Sequence, residues 1–114
     1  MKIGMLGPIW HNIPPKGYGG TELVVYNLVN CLSKNNEVYL FGPKTAKVKA
    51  NLIPTIDKPL MEMDLGNAWE NKKYTLSHIK KAFDMVDEFD ILHIHLNRFQ
   101  DYYALELASK SKPP

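Results

Sequence analysis

Apolar residues along this chain fall into short continuous runs, separated by stretches in which they recur every three or four positions. The first run, Ile3 to Gly7, ends at Gly7-Pro8 and reads as a buried strand. Residues 8–20 hold Pro8, Pro14, Pro15, Gly17, Gly19 and Gly20, the composition of a loop. Thr21 is the predicted N-cap of a helix, with Glu22 in its first turn, where a negative charge suits the helix dipole. Val24, Val25, Leu28, Val29 and Leu32 then recur at helical spacing, in a stripe wide enough to pack closely on a sheet. Asn35-Asn36 ends that helix, and Val38-Tyr39-Leu40-Phe41, stopped by Gly42-Pro43, reads as a second strand. Strand, loop, helix and strand make a βαβ unit, whose right-handed crossover requires the two strands to be parallel.

The second half is patterned less sharply. Residues 44–50 are basic and polar, and Asn51-Leu52-Ile53 predicts a brief third strand that stops before Pro54. Residues 54–70 read as a long loop with a turn of helix. Thr75, Ile79, Ala82, Phe83, Val86 and Phe89 mark a second amphipathic helix, and Ile91-Leu92-His93-Ile94-His95 is another buried strand. A last helix opens at Asp101 or Tyr102 and runs through Leu105 and Leu107 to Ala108. The fold class is α/β, a single domain over 1–114 with a parallel sheet and flanking helices.

Composition narrows the functional classes. The 114 residues are 45% hydrophobic and 23% charged, as in an ordinary globular domain. Fourteen basic and twelve acidic residues leave a net charge of +2, with no basic run longer than a pair, so charge suggests neither nucleic acid nor an anionic membrane as partner. No apolar run approaches the ~20 residues that span a bilayer. The first six residues carry one charge and soon meet Pro8 and Trp10, unlike a signal peptide. The single cysteine, Cys31, has no partner for an internal disulfide, which fits a reducing, cytoplasmic setting.

The densest candidate chemistry is Gly17-Tyr18-Gly19-Gly20-Thr21-Glu22, between the first strand and the first helix. Glycines let a backbone approach a ligand closely, and a helix N-terminus offers free N–H groups at a positive dipole end, so a phosphate or diphosphate is the natural guest. The spacing is neither the dinucleotide fingerprint nor a P-loop, and a tight turn without a ligand accounts for it as well. His93 and His95 share one face of the fourth strand. His95, at the carboxyl end, is placed in the crevice where open α/β sheets bind ligands, whereas His93 is expected deeper, as a core histidine. A zinc site would need further ligands that nothing nominates, so no metal is expected. Trp10, His11, Tyr18, Trp69 and His78 are further candidates. The tryptophans suit either sugar stacking or plugging the core, the latter favoured for Trp69, and His78 borders the Ile79 stripe. Glu22 could serve as a catalytic carboxylate or simply as a dipole partner.

Taken together, Lys2-Ile3-Gly4-Met5-Leu6, Pro14-Pro15, Gly17-Tyr18-Gly19-Gly20-Thr21-Glu22 and Leu40-Phe41-Gly42-Pro43 resemble the N-terminus of glycosyltransferase family 4, retaining enzymes of the GT-B fold. Trp69, His78 and Phe89-Asp90-Ile91-Leu92-His93-Ile94-His95-Leu96 follow in the order this family shows, so the resemblance covers nearly the whole chain. It implies a Rossmann-like domain with strand order 3-2-1-4, the acceptor-side half of an enzyme that moves a sugar from a nucleotide-sugar to a sugar or lipid acceptor. Gly19, Gly20 and Thr21 would face the donor diphosphate and sugar, while His95, Tyr18 and Trp10 would line the acceptor side. The resemblance implies no metal and no cofactor beyond the nucleotide-sugar substrate.

In the family the first domain continues with a further strand ending in a histidine, and a donor domain carrying paired glutamates follows. The expectation is therefore a truncated GT-B N-terminal domain that is inactive alone. Its partner would be a separate donor-domain chain, or a second copy joined through strand 91–96. Two other readings stand beside it: a non-catalytic nucleotide-sugar or phosphate binding module, and half of a GT-B-fold sugar-nucleotide epimerase.

Overall fold

The computed structural model describes residues 1–17, 19–63, 68–95 and 100–111, with the backbone alone for 68–71 and 100–102. Four strands, β1 (Lys2–Leu6), β2 (Glu37–Pro43), β3 (Asn51–Ile56) and β4 (Ile91–Ile94), form one sheet in the order β3-β2-β1-β4. Every pairing is parallel, with Met5 opposite Leu40 in β2 and His93 in β4. Three helices flank it: α1 (Gly20–Leu32), α2 (Ala68–Asp84) and α3 (Gln100–Ser109). This is a Rossmann-like α/β arrangement, as the alternation of periods predicted. Among the described residues no helix is long and apolar enough to cross a membrane.

Strand alternation divides the core in two. Ile3, Met5, Val38 and Leu40 point to one face and pack on Val25 and Val29 of α1. Leu6, Phe41 and Leu92 point to the other and pack on Ile79 and Ala82 of α2 and Ala104 of α3. A third, smaller cluster of Ile9, Ile56 and Leu60 lies under the loops at the carboxyl ends of the strands.

Several element boundaries differ from the sequence expectation, each for a packing reason. The N-cap of α1 is Gly19 rather than Thr21, and Thr21 lies inside the first turn. The loop passes so close here that a Cβ on Gly19 would sit 2.7 Å from Pro15 Cβ, so the N-cap position has no room for a side chain. β3 runs through Pro54 to Ile56; as an edge strand it tolerates a residue without an N–H, and its register with β2 shifts beside that position. The loop expected over 54–70 is shorter than predicted. It holds the end of β3 and a 3-10 turn over Leu60–Glu62, and α2 already starts at Ala68.

The apolar stripe predicted to continue to Phe89 leaves the α-helix at Asp84 and passes through a 3-10 turn at Val86–Glu88. That tightening swings Phe89 onto the sheet, edge-on to Phe41 with ring centres 5.8 Å apart. The ring lies over Gly4, where any Cβ would come within 2.8 Å of Phe89 Cδ2.

Candidate functional site

A parallel sheet gathers the carboxyl ends of all its strands at one edge. The chain leaves β1 toward α1 on one face and returns to β4 from α2 on the other, so a crevice opens beside β1. Two histidines flank this point. The backbone N–H of His95 donates to the carbonyl of Leu6 at 2.8 Å. One residue on, the carbonyl of Gly7 accepts from Nε2 of His78 at 2.6 Å.

The N-terminus of α1 opens at the same edge. Its first internal hydrogen bond is Leu23 N–H to Gly19 carbonyl, 2.9 Å, and no side chain caps it. The N–H groups of Gly20, Thr21 and Glu22 therefore have no partner within the helix. A Cβ on Gly20 would meet nothing within 4 Å, so the fold has no steric need for glycine there. Glu22 is buried at 5% exposure, its carboxylate tucked behind Gly19 rather than presented to a ligand.

His93 and His95 point to the same face of β4, with ring centres 4.2 Å apart. Their depths are the reverse of the sequence expectation. His93 is exposed, and His95 is half-buried with its Nε2 shielded from solvent and without a hydrogen-bond partner among the described residues. By register His93 lies on the face of Met5, where α1 covers the β1 and β2 side chains and β4 sits at the edge of the described sheet. A mid-strand position is thus uncovered, while the strand end is sheltered by the crevice. Burial lowers the pKa of His95 below the usual imidazole value, and the neighbouring His93 lowers it further. His95 is accordingly neutral near pH 7, able to accept from or donate to a hydroxyl.

Trp10 is half-buried against the Ile9, Ile56 and Leu60 cluster, so it backs the loop. Tyr18 and the side chain of Trp69 lie outside the described residues. Among the described residues no group of three metal-ligating side chains comes together.

The residue that sequence reasoning undervalued is His78. It is fully buried, its Nδ1 accepting from Thr55 Oγ1 at 2.5 Å while Nε2 donates to Gly7. Since a carbonyl can only accept, the proton sits on Nε2 and Nδ1 is the acceptor. Desolvation lowers its pKa to about 4, against a smaller opposing effect of the Gly7 carbonyl. The signal was present in the stripe itself: Thr75, His78, Ile79 and Ala82 occupy i, i+3, i+4 and i+7, and all four are buried.

Beside the crevice, the 11–17 loop and the 59–62 segment enclose an open cleft of about 460 Å3. A second, of about 370 Å3, lies between β3 and α2, lined by Thr55, Asp57 and Tyr74 among others.

No family model matches the chain, and no curated protein matches it significantly. The functional reading therefore rests on the chemistry of the edge: three helix amides with no partner within the helix, an unobstructed glycine and a neutral, sheltered imidazole around the end of one strand.

Proposed function

We propose that this chain is the acceptor-side domain of a retaining, nucleotide-sugar-dependent glycosyltransferase, working with a donor-binding domain that closes over the carboxyl edge of its sheet. The observation that carries the reading is the N-terminus of α1. Gly20, Thr21 and Glu22 offer N–H groups with no helical partner, and Gly20 leaves open the space a side chain would fill. Developing charge on a departing diphosphate is stabilised by such fixed donors at a positive dipole end, with no metal required of this half. His95 lies on the acceptor side, where its neutral imidazole hydrogen-bonds a hydroxyl of the bound acceptor or sugar. The Gly-Gly-Thr-Glu string and the Phe-Asp-Ile-Leu-His-Ile-His strand, which resemble glycosyltransferase family 4, support the same assignment. The carboxylates expected to act at the sugar belong to the donor domain.

The test has two arms. Titration of uridine diphosphate into the 15N-labelled chain is expected to move the amides of 19–22 first. Addition of a donor domain with a nucleotide-sugar is expected to restore transfer, and to lose it in His95→Ala. Amides elsewhere responding, or none at millimolar ligand, would remove the diphosphate site. Diphosphate binding at 19–22 without transfer in any reconstituted pair would favour a non-catalytic nucleotide-binding module. Interconversion of the nucleotide-sugar instead of transfer would favour an epimerase.

A further inference from the structure

The residues that line the cleft between the 11–17 loop and the 59–62 segment include neither the first turn of α1 nor His93 and His95. Its walls are preformed. The N–H groups of Leu60 and Met61 donate to the carbonyls of Ile9 and Trp10 at 2.8 and 3.0 Å, stitching the two segments together. The 11–17 loop is pinned from behind by Lys47 N–H to Ile13 carbonyl, 2.8 Å, and by two bonds between Asn12 and Thr45, one donated by the amide at 3.2 Å and one by the hydroxyl at 2.9 Å. Ile9 and Leu60, joined by the first of these bonds, belong with Ile56 to a buried apolar cluster. A volume of about 460 Å3 falls in the ~300–1,000 Å3 range of small-molecule sites.

The lining has two chemistries. Pro59 and Met61 give an apolar strip, and Met61 leaves 62% of its surface exposed, which the fold does not require. Lys16, His11 and Glu62 surround that strip, and neither Lys16 nor Glu62 is in an ion pair among the described residues. A C–H face bordered by hydrogen-bonding groups matches a pyranose ring. An unpaired ammonium beside an imidazole matches an anionic substituent, and Glu62 remains to accept from sugar hydroxyls. We infer that this cleft binds a sugar carrying a phosphate, with the ring over Met61 and Pro59 and the phosphate at Lys16. Resting on the glycosyltransferase reading above, this makes the acceptor a phosphorylated sugar.

The experiment is a titration of the 15N-labelled chain with glucose 6-phosphate, glucose and inorganic phosphate in parallel. Glucose 6-phosphate is expected to move the amides of residues 11, 12, 17 and 61. Lys16→Glu, an exposed change that leaves the fold intact, is expected to weaken binding at least about tenfold, and Met61→Ser by less. An absent or scattered response, or an unchanged affinity in Lys16→Glu, would overturn the proposal. So would inorganic phosphate binding as well as the sugar phosphate, since the ring would then contribute nothing. Uridine diphosphate, read at 19–22 in the same samples, keeps the two ideas apart. Diphosphate binding without a cleft response removes the acceptor site alone. A cleft response without diphosphate binding leaves a sugar-phosphate site and removes the glycosyltransferase reading.

Discussion

The end of β1 is held between two histidines in opposite conditions. His78 reaches Gly7 from the α2 face with both ring nitrogens engaged and no exposed surface. His95 meets Leu6 through its backbone alone, and its Nε2 has no partner among the described residues. One imidazole is an internal strut joining β1, β3 and α2. The other stands at the mouth of a crevice. Buried polar groups are nearly always satisfied, so the satisfied one reads as structure, while the other keeps a shielded nitrogen with no partner among the described residues.

The sharpest way to break this contrast is to remove the strut. His78→Ala strands the Gly7 carbonyl, leaves the Thr55 hydroxyl only its longer bond to the Gly42 carbonyl and opens a cavity, with an expected loss of about 3 kcal/mol in denaturant melts. A loss near zero would mean that the ring does not hold the corner together.

Titration probes the same residue without mutation. The folded-state pKa of about 4 lies below the ordinary 6.5, so between those values the unfolded chain binds a proton that the folded chain refuses. Stability is therefore complete above about pH 6.5, falls as pH drops toward 4, and changes no further from this group below that. A shift of this size corresponds to a loss on the order of 3 kcal/mol. Comparison of melts at pH 7 and pH 4.5 should show it, and His78→Gln should flatten the dependence. An equally steep slope in that variant would assign the effect to other groups.

Smaller effects belong to the glycine pair. Gly19→Ala drives a Cβ against Pro15 and is expected to cost about 1–2 kcal/mol, whereas Gly20→Ala meets open space and should leave the melting curve within about 0.5 kcal/mol of the parent. If Gly20→Ala nonetheless weakens uridine diphosphate binding, the openness at that position serves the ligand. Equal melts for the two variants would show that the Pro15 contact relaxes freely.

The smallest change is expected at the open end. His93→Ala should alter stability little, because the side chain is exposed. It should also raise the pKa of His95 in an NMR titration by removing a neighbouring positive charge. An unmoved His95 would mean that the 4.2 Å ring contact carries no charge coupling.

Much of this architecture was legible from local pattern. Continuous apolar runs at Ile3, Val38 and Ile91 and helical stripes at Val25 and Ile79 became β1, β2, β4, α1 and α2, because each pattern depends only on the period at which neighbouring side chains change face. The glycine-rich loop was likewise readable as a helix entry. Its exact N-cap was not: the helix begins at Gly19, where Pro15 leaves no room for a side chain, and not at Thr21 with its capping preference.

Depth was the property that only tertiary structure decided. His93 sits mid-strand in an apolar run and His78 borders a helical stripe, yet the first is exposed and the second has no accessible surface. Burial depends on which helix covers which face: α1 packs on the β1 and β2 side of its face and leaves the β4 side open, while α2 lies squarely over the other. The sequence by itself determined the elements, their parallel direction and the candidate loop. The choice between strut and open site among its histidines came from the layering of helices on the sheet, because solvent exclusion is set by residues distant in the chain.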